Sequence, residues 1–220
     1  MPYFPKTKRL LGFTAQFIKN MSSCSPSNEH NTLFPVFFKL EHLHTLIVGG
    51  GAVGLEKLSA LLCNCPEAQV TLVGMHILPE ITQLAQRHPS VTLQEKAFSS
   101  CDLYRKDLAI IATDDPEENL RIRQSAKAMR VLVNVADTPA LCDFYLGSIV
   151  QKGSLKIAIS TNGKSPTLAK RLREVLTEVL PQEMESVLNN LKAIRDSLKG
   201  DFAYKVKKLN EITDVLKKEA

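Results

Sequence analysis

The stretch of sequence that most constrains the fold is residues 45–57, which read TLIVGGGAVGLEK. A run of β-branched and apolar residues ends on three consecutive glycines, and Gly54 follows three residues after Gly51. Glycine weakens strands and helices, so this density of glycine indicates a backbone that turns sharply or lies close to another group. No Gly-Lys-Ser/Thr sequence follows, which excludes a P-loop.

The spacing of Gly49, Gly51 and Gly54 between an apolar strand and a helix is typical of a loop that binds a dinucleotide. In such a loop the first glycine permits the turn, the second lets the backbone approach a pyrophosphate, and the third lets helix and strand pack closely. The free N–H groups of the helix N-terminus then face the phosphates. We predict nucleotide binding here, and a purely structural glycine turn is the alternative.

The strand that follows departs from the usual NAD site. Such a site ends its second strand on an Asp or Glu that binds the ribose hydroxyls. Here the strand reads VTLVGMH, and Gly74, Met75 and His76 occupy that place. No arginine stands there to hold a 2′-phosphate either, so we predict NAD as the cofactor.

Strands and helices alternate between Thr45 and Ala136. This alternation is typical of a parallel sheet that is covered by helices on both faces. The predicted strands are residues 44–49, 70–73, 91–95, 108–112 and 131–135, and the predicted helices are 55–64, 77–87 and 119–129.

The pattern changes after Asp137. Residues 144–151 and 155–160 indicate two strands of a hairpin around a Lys152-Gly153 turn. Ser165 and Pro166 are typical of the cap and first position of a helix. That helix is predicted to end at Pro181 and to carry one apolar stripe, at positions 168, 172, 175, 176 and 179. Residues 184–198 and 202–218 indicate two further amphipathic helices.

Composition narrows the classes of function. No run approaches the ~18 apolar residues of a membrane span, so no membrane association is predicted. The net charge of +5 suits an anionic ligand, but this excess of positive charge is too small to indicate nucleic-acid binding. The five cysteines are odd in number and irregularly spaced, which favours a reducing cytoplasm. Cys63 and Cys65 are a weak metal cue, but the end of a helix is the favoured interpretation because no second Cys/His pair has ligand spacing, and no metal site is predicted.

The N-terminus admits two interpretations. Residues 4–20, FPKTKRLLGFTAQFIKN, combine basic residues with a short apolar run, as a signal peptide does. The run is broken by Thr14 and Gln16, and no small-residue cleavage site follows. We therefore predict that residues 1–31 are a disordered extension, with Met21 as an alternative start.

Five segments occur in an order that resembles a known family. They are FPVFFKL, LIVGGGAVGLEK, IIATDDPEEN, VLVNVADTPALCDF and LKIAISTNGKSPTLAKRLRE. Together they resemble the precorrin-2 dehydrogenase family, the amino-terminal half of siroheme synthases, over about residues 33–181. No methyltransferase domain follows, so the chain resembles the stand-alone form.

The resemblance implies an α/β fold. It consists of a Rossmann-type parallel sheet in an NAD-binding domain (32–143), a small hairpin-plus-helix dimerisation region (144–181) and a helical C-terminal domain (182–220). It implies a cytoplasmic homodimer that oxidises precorrin-2 to sirohydrochlorin with NAD and that in some members also inserts Fe²⁺ to give siroheme. A ferrochelatase without useful dehydrogenase activity and an NAD-sensing dimeric regulatory module are the alternatives.

The resemblance also implies the site residues. Asp137, in the segment NVAD, matches the essential aspartate of the family. It follows an apolar strand, where ligands of open α/β sheets bind, and its carboxylate could take the proton that dehydrogenation releases. On residue type alone, a turn-forming Asp before Thr138-Pro139 is the alternative.

The predicted cofactor residues surround the glycine loop. They are Gly49, Gly51, Ala52, Val53 and Gly54 near the pyrophosphate, Met75 and His76 near the adenosine ribose, and Thr113 after the LAIIA strand. Asp114 and Asp115 fit either a place near the cofactor or plain turn chemistry, with Asn119 capping the next helix.

The predicted substrate residues form one loop before a helix: Ser160, Thr161, Asn162, Gly163, Lys164 and Ser165. Precorrin-2 carries many carboxylates, and a helix N-terminus with hydroxyls and a lysine suits one of them. Lys170, Arg171 and Arg173 could hold others, or could be a solvated basic face.

Overall fold

The computed structural model describes residues 31–214, and the predictions for residues 1–30 and 215–220 lie outside them. The chain divides into two compact units at Phe34 and Pro35. Residues 31–34, the described part of the first unit, form neither helix nor strand. The strands of the second unit are β1 (His44–Val48), β2 (Gln69–Gly74), β3 (Val91–Glu95), β4 (Leu108–Ile111), β5 (Leu132–Val135), β6 (Ser148–Lys152) and β7 (Leu155–Ile159). Its α-helices are α1 (Ala52–Asn64), α2 (Pro79–Gln86), α3 (Pro116–Ala128), α4 (Pro166–Val179), α5 (Met184–Ser197) and α6 (Phe202–Thr213).

The first five strands form one parallel sheet in the order β3-β2-β1-β4-β5. Ile47 of the central strand β1 lies beside Leu72 of β2 and Ile110 of β4. The chain therefore leaves β1 first towards one edge of the sheet and later crosses to the other. The predicted Rossmann-type sheet is confirmed.

Alternation along the strands builds two cores, one on each face of the sheet. Leu46 and Val48 pack with α3 residues such as Ile122, whereas Ile47 packs with α1 residues such as Leu58. Because both faces are covered, the inner strand β4 is an unbroken apolar run, and every one of its residues is buried.

Two predicted helix starts were too late. The helix predicted at 55 begins at Ala52, directly after the glycines, and the helix predicted at 119 begins at Pro116. Asp115 caps α3 by accepting hydrogen bonds from the N–H groups of Glu117 and Glu118, at 2.9 and 3.2 Å. The prediction that Asn119 caps this helix was wrong, because proline occupies the first helical position three residues earlier.

Strands β6 and β7 form the predicted hairpin, with Ser148 opposite Ile159 and Lys152 opposite Leu155. The first strand begins at Ser148 rather than at the predicted residue 144, because Phe144 belongs to the core on the α1 face. The carboxylate of Glu185, in the first turn of α5, accepts hydrogen bonds from the N–H and the hydroxyl of Ser154, at 2.5 and 3.0 Å. The hairpin turn is thus held by α5.

Helix α4 packs against β6 and β7, and the hydroxyl of Ser165 caps it by accepting from the N–H of Leu168 at 3.2 Å, as predicted. Its buried side chain is Ala169. Most of the predicted apolar stripe is exposed instead: Leu168, Leu172, Val175 and Val179 are between 38% and 58% exposed.

Helices α5 and α6 contact each other and complete the described chain. No helix between residues 31 and 214 is both long and apolar enough to cross a membrane.

Candidate functional site

The carboxyl edge of the parallel sheet brings most of the predicted site residues together. The glycine loop follows β1, Met75 and His76 follow β2, Thr113 follows β4, and Asp137 follows β5. Backbone hydrogen bonds hold these exits side by side: Gly49 N–H donates to Val73 at 2.8 Å, Ala112 N–H to Val48 at 2.7 Å, and Ala136 N–H to Ile111 at 2.9 Å. This edge, on both sides of the central strand β1, is where open α/β sheets bind their ligands.

Two glycines of the loop are required by the chain itself. Gly49 has a φ of +122°, and a Cβ there would collide with the carbonyl oxygen of Ala112. Gly54 is buried in α1, and its Cβ would collide with the carbonyl oxygen of Gly49. The first and third glycines of the spacing therefore make the turn and the close packing of helix on loop.

Gly51 differs from these two. It is the N-cap of α1, its φ of −88° is one that other residues adopt, and apart from its chain neighbours no atom of residues 31–214 lies within 4 Å of where a Cβ would stand. No group in residues 31–214 therefore requires glycine there, and the open space leaves room for a ligand against the backbone.

The N-terminus of α1 also fits a phosphate. No side chain caps it and no acidic residue occupies its first turn. The first N–H groups of a helix have no partner within the helix and carry a partial positive charge, so Gly51 and this turn have the chemistry of an anion-binding cradle.

The absence of a carboxylate side chain at Gly74, the last residue of β2, has a steric cause. A Cβ on Gly74 would meet the nitrogen of Gly50 at 2.7 Å, and a Cβ on Gly50 would collide with the carbonyl oxygen of His76. The N–H of Leu78 donates to Gly50 at 3.0 Å, which closes this contact. Gly74 therefore has no room for a carboxylate, and the exposed Met75 and His76 that follow it do not supply one.

The side chain of Thr113 forms its hydrogen bonds within its own segment of the chain. Its hydroxyl donates to the side-chain oxygen of Asn119 at 2.5 Å, and the amide of Asn119 donates to the carbonyl of Thr113 at 3.2 Å. Asn119 is only 6% exposed. This pair fixes the path from β4 into α3. Both aspartates of TDD are exposed, but only Asp115 caps that helix, and Asp114 makes no hydrogen bond or ion pair within residues 31–214.

Asp137 lies in a left-handed backbone conformation, with a φ of +55°. The side chain is exposed, and no group within residues 31–214 donates a hydrogen bond to its carboxylate. Aspartate adopts this conformation more readily than most residues, but the surrounding turn must hold it. The N–H of Thr138 donates to Val135 at 3.3 Å, and its hydroxyl donates to Ala136 at 3.3 Å.

A second feature holds the Asp137 loop, and the sequence reasoning missed it. Residues 142–144 run along the outer edge of β5. Asp143 exchanges hydrogen bonds with Val133, its N–H donating at 2.7 Å and its carboxylate accepting at 2.9 Å. The amide of Asn134 donates to Phe144 at 2.8 Å. A polar Asn in the apolar run VLVNV was the available signal.

The same segment is anchored by two more side chains. Arg123 of α3 pairs with the carboxylate of Asp143 at 2.6 Å. The sulfur of Cys142 lies 3.2 Å from both the nitrogen and the oxygen of Val135, and burial raises the pKa of this thiol. The loop that carries Asp137 therefore starts at the end of β5, and the segment that follows the loop is bonded back to β5.

The predicted substrate loop does not follow a strand of the parallel sheet. It connects β7 of the hairpin to α4. Asn162 and Gly163 both have positive φ, +52° and +74°. The hydroxyl of Thr161 accepts from the N–H of Ser165 at 3.2 Å and donates to its carbonyl at 3.1 Å. Thr161 and Ser165 thus hold the loop in shape, and Ser160, Asn162, Gly163 and Lys164 form its exposed surface.

The basic residues of α4 differ from one another. Arg171 is exposed and pairs with Glu174 of the same helix at 2.8 Å, while Arg173 is half-buried and Lys170 is exposed. Cys63 lies in the last turn of α1 and Cys65 caps its end. Within the described chain, no three His, Cys, Asp or Glu side chains gather as a metal site would require.

Comparisons with known proteins agree with this geometry. The family model described as "Putative NAD(P)-binding" matches residues 36–148, and the model described as "Sirohaem biosynthesis protein central" matches residues 152–178. The structure of SirC, a precorrin-2 dehydrogenase, superimposes with a TM-score of 0.63 at 24% identity, covering 82% of this chain and 89% of that one. At that identity the likeness shows the fold.

Curated relatives include the siroheme synthase of Pseudoalteromonas atlantica and siroheme synthase 3 of Aeromonas hydrophila, which are 36% and 37% identical over 169 residues. Each match covers 77% of this chain, which spans about a third (36%) of the length of either relative. These relatives confirm the resemblance, and the first family model confirms the nicotinamide dinucleotide class of cofactor. Since the first model spans slightly more than half of the residues, the chain belongs to the NAD(P)-binding family that this model describes, with the sirohaem central segment directly after that domain.

Proposed function

We propose that the chain is an NAD-dependent precorrin-2 dehydrogenase, which oxidises precorrin-2 to sirohydrochlorin in siroheme biosynthesis. The observation that carries the proposal is the shared sheet edge. The phosphate cradle at Gly51 and the exposed carboxylate of Asp137 lie on it, in a chain that matches both an NAD(P)-binding and a sirohaem model.

The residues present fit the cofactor. Gly51, Ala52 and Val53 would hold the pyrophosphate through the N-terminus of α1, and Met75 and His76 would border the adenosine ribose. Thr113 would border the cofactor through its backbone, because its hydroxyl is bonded to Asn119. When bound, oxidised NAD supplies the acceptor for one hydride.

Asp137 would accept the proton that the oxidation of precorrin-2 releases. Precorrin-2 loses two hydrogens, one as a hydride with its electron pair and the other as a proton. A carboxylate without a hydrogen-bond donor among the described residues can accept that proton and, being exposed, can pass it to water. The left-handed backbone at Asp137 is the kind of strained position that recurs at functional sites.

The loop 160–165 would bind carboxylates of the substrate. It lies at the N-terminus of α4, whose first turn holds no acidic residue. The partial positive charge of this helix end and the exposed surface of the loop suit an anion. Arg171 is paired with Glu174, so Lys170 is the better candidate for a second contact.

We further propose a homodimer through the hairpin region. Strands β6 and β7 pair with each other in a sheet of two strands, and such a sheet is only marginally stable alone. Beside it, the exposed stripe of α4 presents Leu168, Leu172, Val175 and Val179. A second copy of the chain would cover both. The domain bounds 32–143, 144–181 and 182–220 and the cytoplasmic location remain predictions.

One coupled assay tests the activity. Purified protein, precorrin-2 and NAD⁺ should yield NADH and the absorption spectrum of sirohydrochlorin. Absence of product with both NAD⁺ and NADP⁺ would contradict the proposal. Sirohydrochlorin with Fe²⁺ or Co²⁺ and no NAD⁺ then tests chelation separately, and binding of NAD without tetrapyrrole would instead indicate a regulatory module.

A further inference from the structure

We propose that Glu95, at the end of β3, supplies the carboxylate that binds the adenosine ribose and makes the site prefer NAD over NADP. The proposal rests on the proposed function only in requiring that the site bind a nicotinamide dinucleotide.

The need for such a group follows from the tip of β2. A ribose-binding acid usually stands at the end of this strand, where the contact of Gly74 with Gly50 leaves no room for a side chain and the exposed Met75 and His76 carry no carboxylate. A carboxylate that reaches the ribose must therefore come from a neighbouring element.

Strand β3 is that element. Glu95 is the register partner of Gly74 in the parallel pair β2–β3, and the N–H of Lys96 donates to the carbonyl of Gly74 at 2.9 Å. Adjacent strands lie about 4.8 Å apart, so Glu95 begins one strand spacing from the missing acid.

The two paired positions also share a face of the sheet. Side chains alternate along a strand, and Leu93, two residues before Glu95, packs in the same core as Leu72, two residues before Gly74. A Cβ on Gly74 would point at Gly50. Glu95 therefore projects from the face of the sheet on which the glycine loop lies.

The charge of Glu95 is not neutralised by the described chain. Its side chain is exposed and makes no hydrogen bond or ion pair with any group in residues 31–214. Its neighbour Lys96 belongs to the opposite face, where it pairs with Asp102 at 2.5 Å. One of these two adjacent charges thus stabilises the fold, and the other is available to a ligand.

A carboxylate accepts hydrogen bonds from the 2′- and 3′-hydroxyls of the ribose in NAD. In NADP a phosphate replaces the 2′-hydroxyl, so the same carboxylate loses a donor and faces a like charge. The position of Glu95 therefore predicts selection against NADP.

The test measures binding rather than turnover. Dissociation constants for NAD⁺ and NADP⁺ are determined by calorimetry for the wild type, Glu95→Gln, Glu95→Arg and Glu67→Gln. Glu67 is the matched control, because it is exposed in the turn before β2, at the opposite edge of the sheet. Thermal melting checks that each variant is folded.

We expect the wild type to bind NAD⁺ more tightly than NADP⁺. Glu95→Gln should weaken NAD⁺ binding about tenfold and change NADP⁺ binding less than about twofold, and Glu95→Arg should reverse the preference. Glu67→Gln should match the wild type. Wild-type preference for NADP⁺, or an unchanged ratio in Glu95→Gln, would overturn the assignment of Glu95 alone. Failure of the wild type to bind either dinucleotide would contradict the proposed function as well.

Discussion

The sheet domain and the hairpin region bury their apolar residues to very different extents. In the sheet domain, both faces of β1 and β4 are covered and their apolar residues are buried. In the hairpin and α4, the buried side chains are those of Val150, Lys152 and Ala169, while the apolar stripe of α4 faces outwards. The first region therefore buries the apolar residues of its central strands, while some large apolar side chains outside them, such as Leu120, are exposed. The second presents apolar surface in one contiguous helix stripe, which is what an interface requires.

The glycines of the site show the same contrast on a smaller scale. Gly54 is glycine because the chain packs against it, whereas Gly51 has open space around it. Gly54→Ala should lower the free energy of unfolding by about 2–4 kcal/mol, since the new methyl group meets the backbone of Gly49. Gly51→Ala should leave stability nearly unchanged and weaken NAD⁺ binding. Urea denaturation and calorimetry separate the two effects, and equal destabilisation by both would contradict the contrast.

Leu172→Asp tests whether the stripe of α4 is an interface. Burying one leucine contributes about 1.5–3 kcal/mol, and a charge adds a penalty, so the dimer should weaken about 100-fold or more. The control is Leu120→Asp in α3, because Leu120 is similarly exposed but lies on the sheet domain. Light scattering after size exclusion should give half the wild-type mass for Leu172→Asp only. A monomeric wild type would sink the proposed dimer.

Two buried hydroxyls between residues 31 and 214 lack a hydrogen-bond partner, those of Thr45 and Ser90, and Thr45 lies in the central strand of the sheet. Thr45 is fully buried and its hydroxyl has no hydrogen-bond partner in the described chain. Thr45→Val keeps the shape and removes the unsatisfied group, so the free energy of unfolding should rise by about 1 kcal/mol.

Thr71 of β2 is the matched control for Thr45, because its hydroxyl accepts a hydrogen bond from Lys106 at 2.6 Å. Lys106 is partly buried, and burial lowers the pKa of its amine. Thr71→Val should therefore destabilise the fold by about 1 kcal/mol. The two midpoints in urea should move in opposite directions, and movement in the same direction would contradict this account of the core.

The smallest expected effect lies in the hairpin turn. Hydrogen bonds from Ser154 lower the pKa of Glu185 below its usual range. A carboxyl whose pKa is lowered by folding stabilises the fold above its unfolded pKa of about 4.3, and that stabilisation is lost as the pH falls through the folded value.

Glu185→Gln should remove this pH dependence, and Glu178→Gln, an exposed site on α4, should keep it. Amide exchange of the hairpin between about pH 3 and pH 7 is the measurement. An unchanged acid slope in Glu185→Gln would show that other carboxylates produce it.

The sequence predicted most of the sheet domain because its strands are apolar runs between turns. Val91–Glu95 was located to the residue. Helix starts were less well predicted. By residue type, Ala52 and Pro116 extend the preceding loops, but in the structure they are the first residues of helices.

The sequence named candidate site residues but could not give their geometry. The order of motifs located Asp137, but neither its left-handed backbone nor the strap of residues 142–144 could be read from residue types. The contact between Gly50 and Gly74 also joins two distant segments, so the absence of an acid on β2 had no visible cause. The periodicity of the sequence predicted the apolar stripe of α4. It could not predict that residues 31–214 leave this stripe exposed.

The central claim is that the carboxylate of Asp137 takes the proton released from precorrin-2. Asp137→Asn tests it most directly, because asparagine also adopts the left-handed conformation and the turn should persist. Glu117→Gln, at the exposed start of α3, removes an equal charge near the same sheet edge. In single turnovers with NAD⁺, Asp137→Asn should form NADH about 100-fold or more slowly while the NAD⁺ dissociation constant stays within about twofold, and Glu117→Gln should react like the wild type. NADH formation at the wild-type rate in Asp137→Asn would contradict the claim.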